Sequence, residues 1–98
     1  MLSSCHDWES ILEAAQCLRR RLHSEPELGW QEERTAAAIR QELDALQIPW
    51  RAVAGTGTLA TLAANAQGKH IALRGDIDAL PIEEQTGLDY ASATKGCM

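Results

Sequence analysis

The chain has 98 residues, enough for one small domain with a modest core. Nine Lys and Arg against fourteen Asp and Glu leave a formal charge of −5. That balance argues against non-specific nucleic-acid binding and against attraction to anionic membranes, and no apolar run is long enough for a transmembrane helix. The three cysteines, Cys5, Cys17 and Cys97, are odd in number and lack Cys-x-x-Cys spacing. They therefore indicate neither a disulfide framework nor a zinc knuckle. The N-terminus lacks the basic start and apolar stretch of a signal peptide, so a reduced cytoplasmic setting is expected.

Asp7 is placed to cap a helix over about 8–22. Trp8, Ile11, Leu12, Ala15, Leu18 and Leu22 recur at spacings of three and four and form one apolar stripe. Arg19, Arg20 and Arg21 fall in the last turn, where cations complement the helix dipole. Cys17 reads as a plain helix residue. Pro26 disfavours helix at Glu25, and Gly29 marks a turn. Glu25, Glu27, Glu32 and Glu33 near His23 have the composition of a metal cluster, but a solvated connector explains them equally well. A second helix is predicted over about 31–46, with Ala36, Ile39, Leu43 and Leu46 as its stripe and Pro49 as its stop.

Residues 50–54 suit a strand. Gly55-Thr56-Gly57-Thr58-Leu59-Ala60 then matches the dinucleotide pattern Gly-x-Gly-x-x-Gly/Ala, with Asp76 about twenty residues on, the offset of a ribose-binding acid. Leu59, Leu62, Ala63 and Ala66 even have helical spacing. Against that reading, the preceding strand is short and contains Arg51. Thr58, Leu59, Thr61 and Leu62 read equally well as a strand. Pattern alone leaves both readings open.

Ile71, Ala72 and Leu73 form a short apolar run bounded by polar residues and Gly75, which predicts a buried strand over 70–75. Asp76 and Asp78 fall at its carboxyl end, the edge where open α/β sheets bind ligands. Three chemistries use such a pair: a phosphatase nucleophile, a metal-binding glycosyltransferase motif, and a hydrolase carboxylate that orients a metal ligand. The plainer alternative is a surface loop whose acids cap the next turn.

Several stretches, taken in order, resemble the amidohydrolase branch of the M20 metallopeptidases. They are Arg20-Arg21-Leu22-His23-Ser24-Glu25-Pro26-Glu27-Leu28-Gly29, then Glu32 or Glu33 with Thr35, then Gly55-Thr56-Gly57. Leu73-Arg74-Gly75-Asp76-Ile77-Asp78-Ala79-Leu80-Pro81-Ile82 with Glu84 is the strongest, and Gly87-Leu88, Tyr90-Ala91-Ser92, Gly96 and Met98 complete the set.

The resemblance implies an α/β catalytic domain, here two helices followed by a small mixed sheet, with a lid domain elsewhere. It implies metal-assisted hydrolysis of the amide bond in N-acyl amino acids, with zinc, manganese or cobalt as the metal. Gly55-Thr56-Gly57 becomes a turn before a strand. Arg74 replaces a ligand histidine of related enzymes, Asp76 remains an orienting carboxylate, and Asp78 caps the following loop. In this branch the stretch matching Gly96-Cys97-Met98 is followed by His-Ala-Cys-Gly-His-Asp, which supplies the first metal ligands; this chain stops at Met98. His6, His23 and His70 do not match ligand positions. The expectation is thus a partial catalytic domain over 1–98, with no metal or cofactor site of its own and no activity alone. The alternative is a non-catalytic half of a split hydrolase.

The helices are expected to pack on one face of the sheet through Ile11, Leu12, Leu18, Ile39, Leu43 and Leu46. An uncovered sheet edge would invite association with the rest of the protein or with a second copy.

Overall fold

The structure is a computed structural model and describes residues 7–98. Cys5 and His6 lie outside the described residues. The element order is α1 (Trp8–Ser24), α2 (Glu33–Ala45), β1 (Trp50–Val53) and β2 (Gly57–Ala60). No helix among the described residues is long and apolar enough to cross a membrane.

α1 starts where its cap predicts. The Asp7 carboxylate accepts the Ser10 N–H at 3.2 Å, taking one of the free amides of the first turn. The helix ends at Ser24, whose hydroxyl donates to Arg21 O at 2.8 Å, one residue ahead of Glu25 and Pro26.

α2 begins without a cap from its own preceding residue. Glu27 takes that role from a distance: its carboxylate accepts the Thr35 N–H at 2.6 Å and the Arg34 N–H at 3.1 Å. A negative charge there also complements the helix dipole. α2 ends in a Schellman motif. Gln47 N–H donates to Asp44 O at 3.0 Å and Ile48 N–H to Leu43 O at 2.9 Å, with Gln47 in the left-handed region at φ 58°. Pro49 then leads into β1.

β1 and β2 form an antiparallel hairpin with Trp50 opposite Ala60 and Val53 opposite Gly57. Ala54 and Gly55 turn the chain with φ values of 49° and 78°. Gly57 allows a close approach: a Cβ there would sit 2.6 Å from Val53 O. Because residues 57–60 are an antiparallel strand, not the start of a helix between parallel strands, the dinucleotide-binding reading of Gly55-x-Gly57 is overturned.

α2 meets the hairpin through polar contacts. Arg40 donates to Gly57 O and to the Thr58 hydroxyl, both at 2.9 Å, and its guanidinium lies 4.8 Å from the Trp50 ring centre. Trp50 Nε1 donates to Asp44 at 2.8 Å. Buried Glu32 accepts the Thr56 hydroxyl at 2.9 Å.

Two expectations are corrected. The sheet has two strands, both antiparallel. The strand predicted over 70–75 does not form, because nothing pairs with it: among the described residues no backbone hydrogen bond involves 67–78. Parallel pairing is confined there to an isolated bridge between Leu28 and Ala79. Second, α1 does not pack on the sheet. Trp8, Ile11, Leu12 and Leu46 are exposed, Leu18, Ile39 and Leu43 are half-buried, and no α1 residue is buried. The first turns of the stripe, Trp8, Ile11 and Leu12, are left exposed.

Residues 79–98 fold back on the α1–α2 connector instead. Ala79 N–H donates to Glu27 O at 2.8 Å, and Ala93 N–H to Ser24 O at 2.9 Å. Leu80 and Met98 exchange backbone hydrogen bonds of 2.7 and 2.9 Å. Cys97 is buried by this arc. Among the described residues the buried apolar side chains are small: Pro26, Ala36, Ala38 and Cys97. The radius of gyration is 15.6 Å, above the roughly 13 Å of a close-packed domain of this length.

Candidate functional site

Asp76 and Asp78 lie on the margin of a cleft of about 400 Å³. The last turn of α1 supplies Arg19, Leu22 and His23 to one wall; the 76–79 turn faces it. The cleft follows from two local facts. Pro26 ends α1 and turns the connector, and the Leu28–Ala79 bridge pins the 76–79 turn against it.

The acids have separate surroundings. Asp76 Oδ1 sits 2.8 Å from Arg74 Nη2, and both side chains are largely exposed. Asp78 lies beside Gly29, where an added Cβ would be 3.5 Å from its Oδ2. The expectation that Asp78 caps the following loop is corrected: the Ala79 N–H goes to Glu27 O. The amide a cap at Asp78 would take, Leu80 N–H, goes to Met98 O at 2.7 Å, and Pro81 has none.

His23 points into a second polar cluster. Its Nε2 lies 2.8 Å from Glu84 Oε1, and that oxygen also accepts the Ser92 N–H at 2.8 Å. The Thr86 hydroxyl donates to the other Glu84 oxygen. These contacts, Thr86 first, then Ser92 and His23, hold the Glu84 carboxyl below its ordinary pKa against the opposing push of burial. Tyr90 meets His23 edge-on at 5.8 Å, and Arg20 lies 4.6 Å from the centre of the Tyr90 ring.

Glu27 behaves likewise. Burial pushes its carboxyl up, but the Thr35 hydroxyl and N–H and the Arg34 N–H and side chain outweigh it, so the pKa falls. The acids near His23 are therefore not a uniform solvated connector: Glu27 and Glu32 are structural acceptors. Sequence reading missed the roles of Glu27 and Glu84. The signal for Glu27 was its position just ahead of α2; for Glu84 it was only membership of the family-like motif.

No family model matches the chain. Over 82 residues, 83% of its length, it is 51% identical to the N-acetyl-L-cysteine deacetylase of Bacillus subtilis strain 168. It is 37% identical over 81 residues to the N-acyl-L-amino acid amidohydrolase of Geobacillus stearothermophilus. Among solved structures, its backbone matches the Bacillus subtilis YXEP protein, a dinuclear metal-binding peptidase of the M20 family. The TM-score is 0.84 and the identity 41% over 92% of this chain. The chain belongs to the M20 family.

This M20 chain spans about a fifth of the length of the curated relatives it matches, 20% and 22%, and 26% of the YXEP chain. YXEP binds two metals, so the donor set here bears on whether a metal fits. Among the described residues no three His, Cys, Asp or Glu side chains are grouped to hold an ion. Asp76 is paired with Arg74, and His23 with Glu84. A catalytic metal needs about three protein donors around an open position, and these side chains do not supply them.

Proposed function

We propose that this chain is the N-terminal part of the catalytic domain of an amidohydrolase that cleaves the amide bond of N-acyl amino acids. The metal ligands and a lid domain belong to sequence outside these 98 residues, and the metal of the whole enzyme is zinc, manganese or cobalt. The observation that carries this reading is the 51% identity to a deacetylase of an N-acyl amino acid. A similar stretch of 82 residues in a chain of 98 takes in the Arg74–Asp78 motif and α2.

Within that enzyme Asp76 acts as a positioning carboxylate. Its exposed carboxyl lines the cleft and is paired with Arg74 through Oδ1 only, leaving Oδ2 to accept from a ligand-bearing side chain, and a hydrogen-bonded carboxylate is the usual partner of a metal-binding imidazole. The backbone of residues 79–98 is fixed to the α1–α2 connector, which holds the 76–79 turn in place.

Calorimetric titration of the purified chain with zinc and with manganese tests where the ligands lie, run beside a hydrolysis assay on hippurate and N-acetyl amino acids. Neither stoichiometric binding nor turnover is expected. Stoichiometric micromolar binding with metal-dependent turnover, abolished by Asp76→Ala, would place the active site within the chain and contradict the proposal.

A further inference from the structure

Residues 79–98 form an arc that starts and ends on the cleft, since Ala79 and Met98 both line it. The two ends are joined by the paired backbone hydrogen bonds between Leu80 and Met98. The middle of the arc is fastened to the last turn of α1, which forms the facing wall. Ala93 N–H donates to Ser24 O at 2.9 Å, and one residue earlier on α1 His23 meets Glu84 at 2.8 Å. With the bond from Ala79 N–H to Glu27 O, these ties set the spacing of the walls. The His23–Glu84 tie alone is made by side chains.

Glu84 is suited to fixing a direction. Its side chain is 3% exposed, and a covered carboxylate is unfavourable unless its oxygens find donors. Both oxygens do. Oε1 accepts the Ser92 N–H and faces His23 Nε2, while Oε2 accepts the Thr86 hydroxyl. These donors hold the carboxyl below its ordinary pKa, so at neutral pH it is ionised and only accepts. The proton between the two side chains therefore sits on His23 Nε2. Tyr90 restricts the imidazole from its edge at 5.8 Å, and Arg19 and Arg20 lie over Tyr90 at 5.8 and 4.6 Å. His23 lines the cleft, with Asp76 and Asp78 on the opposite side. Hydrogen bonds are directional, so a shared carboxylate fixes lateral position as well as distance.

We infer that Glu84 is a positioning residue of the whole enzyme: acting through His23 and Ser92, it fixes the two walls of the Asp76 cleft relative to one another and so sets the rate of turnover. This rests on the amidohydrolase reading.

The test uses a full-length enzyme, the Bacillus subtilis N-acetyl-L-cysteine deacetylase carrying the matching residues of this chain with the arc through Met98. Turnover is counted per bound metal, so that a mere loss of folded molecules leaves it unchanged. Glu84→Leu and His23→Leu should each lower kcat about tenfold with KM within about threefold of the parent graft, because a displaced wall spoils orientation more than binding. Glu84→Gln keeps an acceptor oxygen for Ser92 and His23 and turns its amide to the Thr86 hydroxyl; it should recover kcat to within roughly threefold of the parent. The double leucine variant should fall no more than about threefold below the slower single one, whereas independent effects would multiply to about a hundredfold. His23→Leu, at a side chain 26% exposed, keeps the test open should Glu84→Leu not fold. Leucine variants with the parent kcat, a change carried by KM, effects that multiply, or a glutamine variant as slow as the leucine one would each overturn the inference and leave the amidohydrolase reading intact. A folded parent graft without metal-dependent turnover would overturn that reading and the inference with it.

Discussion

The imidazole of His23 lies 2.8 Å from the carboxylate of Glu84, although 61 positions separate them in the chain. The Glu84 side chain is almost fully covered, while Tyr90 and Arg20 close the cluster from outside. One contact thus ties the end of α1 to the C-terminal arc, where few apolar groups do so.

Acid should weaken this arrangement. Glu27 and Glu84 both titrate lower in the folded chain than a free glutamate does. Their contribution is therefore complete above the unfolded glutamate range, near pH 4.3, and is lost as pH falls below it through the folded values. Urea midpoints should hold steady from about pH 7 to pH 5 and fall below about pH 4. Glu84→Gln should flatten that fall; an unchanged slope would remove Glu84 from the acid response.

Glu27→Ala should destabilise the chain by about 1 kcal/mol, the usual loss when a helix N-terminus loses its capping oxygen. Thermal unfolding followed at 222 nm reads this loss. Glu33→Ala, in the first turn of α2 but making no capping hydrogen bond, serves as the control and should change stability by less than about half as much.

Gln47→Gly should stabilise. Gln47 occupies the left-handed position of the Schellman motif at φ 58°, where a side chain costs about 1 kcal/mol that glycine avoids. A rise in the urea midpoint with unchanged slope is expected. A fall would mean that the Gln47 side chain makes a contribution larger than this strain.

Arg40 joins α2 to the hairpin by a fork that lysine lacks. Arg40→Lys and Arg40→Ala should both lower stability by about 1 kcal/mol, a discounted figure because the site is half open to water. Amide exchange should quicken first at Thr58 and Leu59. Full retention of stability by the lysine variant would argue against the bidentate contact.

Local signals in the sequence were read correctly where local physics decides. Asp7 and the spacing from Trp8 to Leu22 gave α1, and Pro49 marked the end of α2; the turn at Gly55-Thr56-Gly57 came from the resemblance, because the local pattern fitted a dinucleotide loop equally well. The start of α2 fell two residues later than predicted, since Glu27, and not a neighbouring residue, holds its first amides. Apolar runs misled where a partner surface decides. Ile71 and Leu73 have strand composition, but without a neighbouring strand the hydrogen bonds that define one are missing. The stripe of α1 is real as a pattern, yet none of its residues is buried and only its last turn meets the 76–79 turn across the cleft. The His23–Glu84 pair was illegible because no spacing rule links residues so far apart. Asp76 was singled out by the Asp-x-Asp that follows Gly75, and its orienting role is implied only by the family-like motif.

The central claim is that these residues are an interchangeable part of an N-acyl-amino-acid amidohydrolase. Replacing the aligned 82-residue segment of the Bacillus subtilis N-acetyl-L-cysteine deacetylase by the matching residues of this chain tests it most directly. The graft should fold and retain metal-dependent deacetylation, and Asp76→Ala within it should lower kcat/KM by about tenfold to a hundredfold. A folded, metal-loaded graft without activity, or one indifferent to Asp76→Ala, would contradict the account.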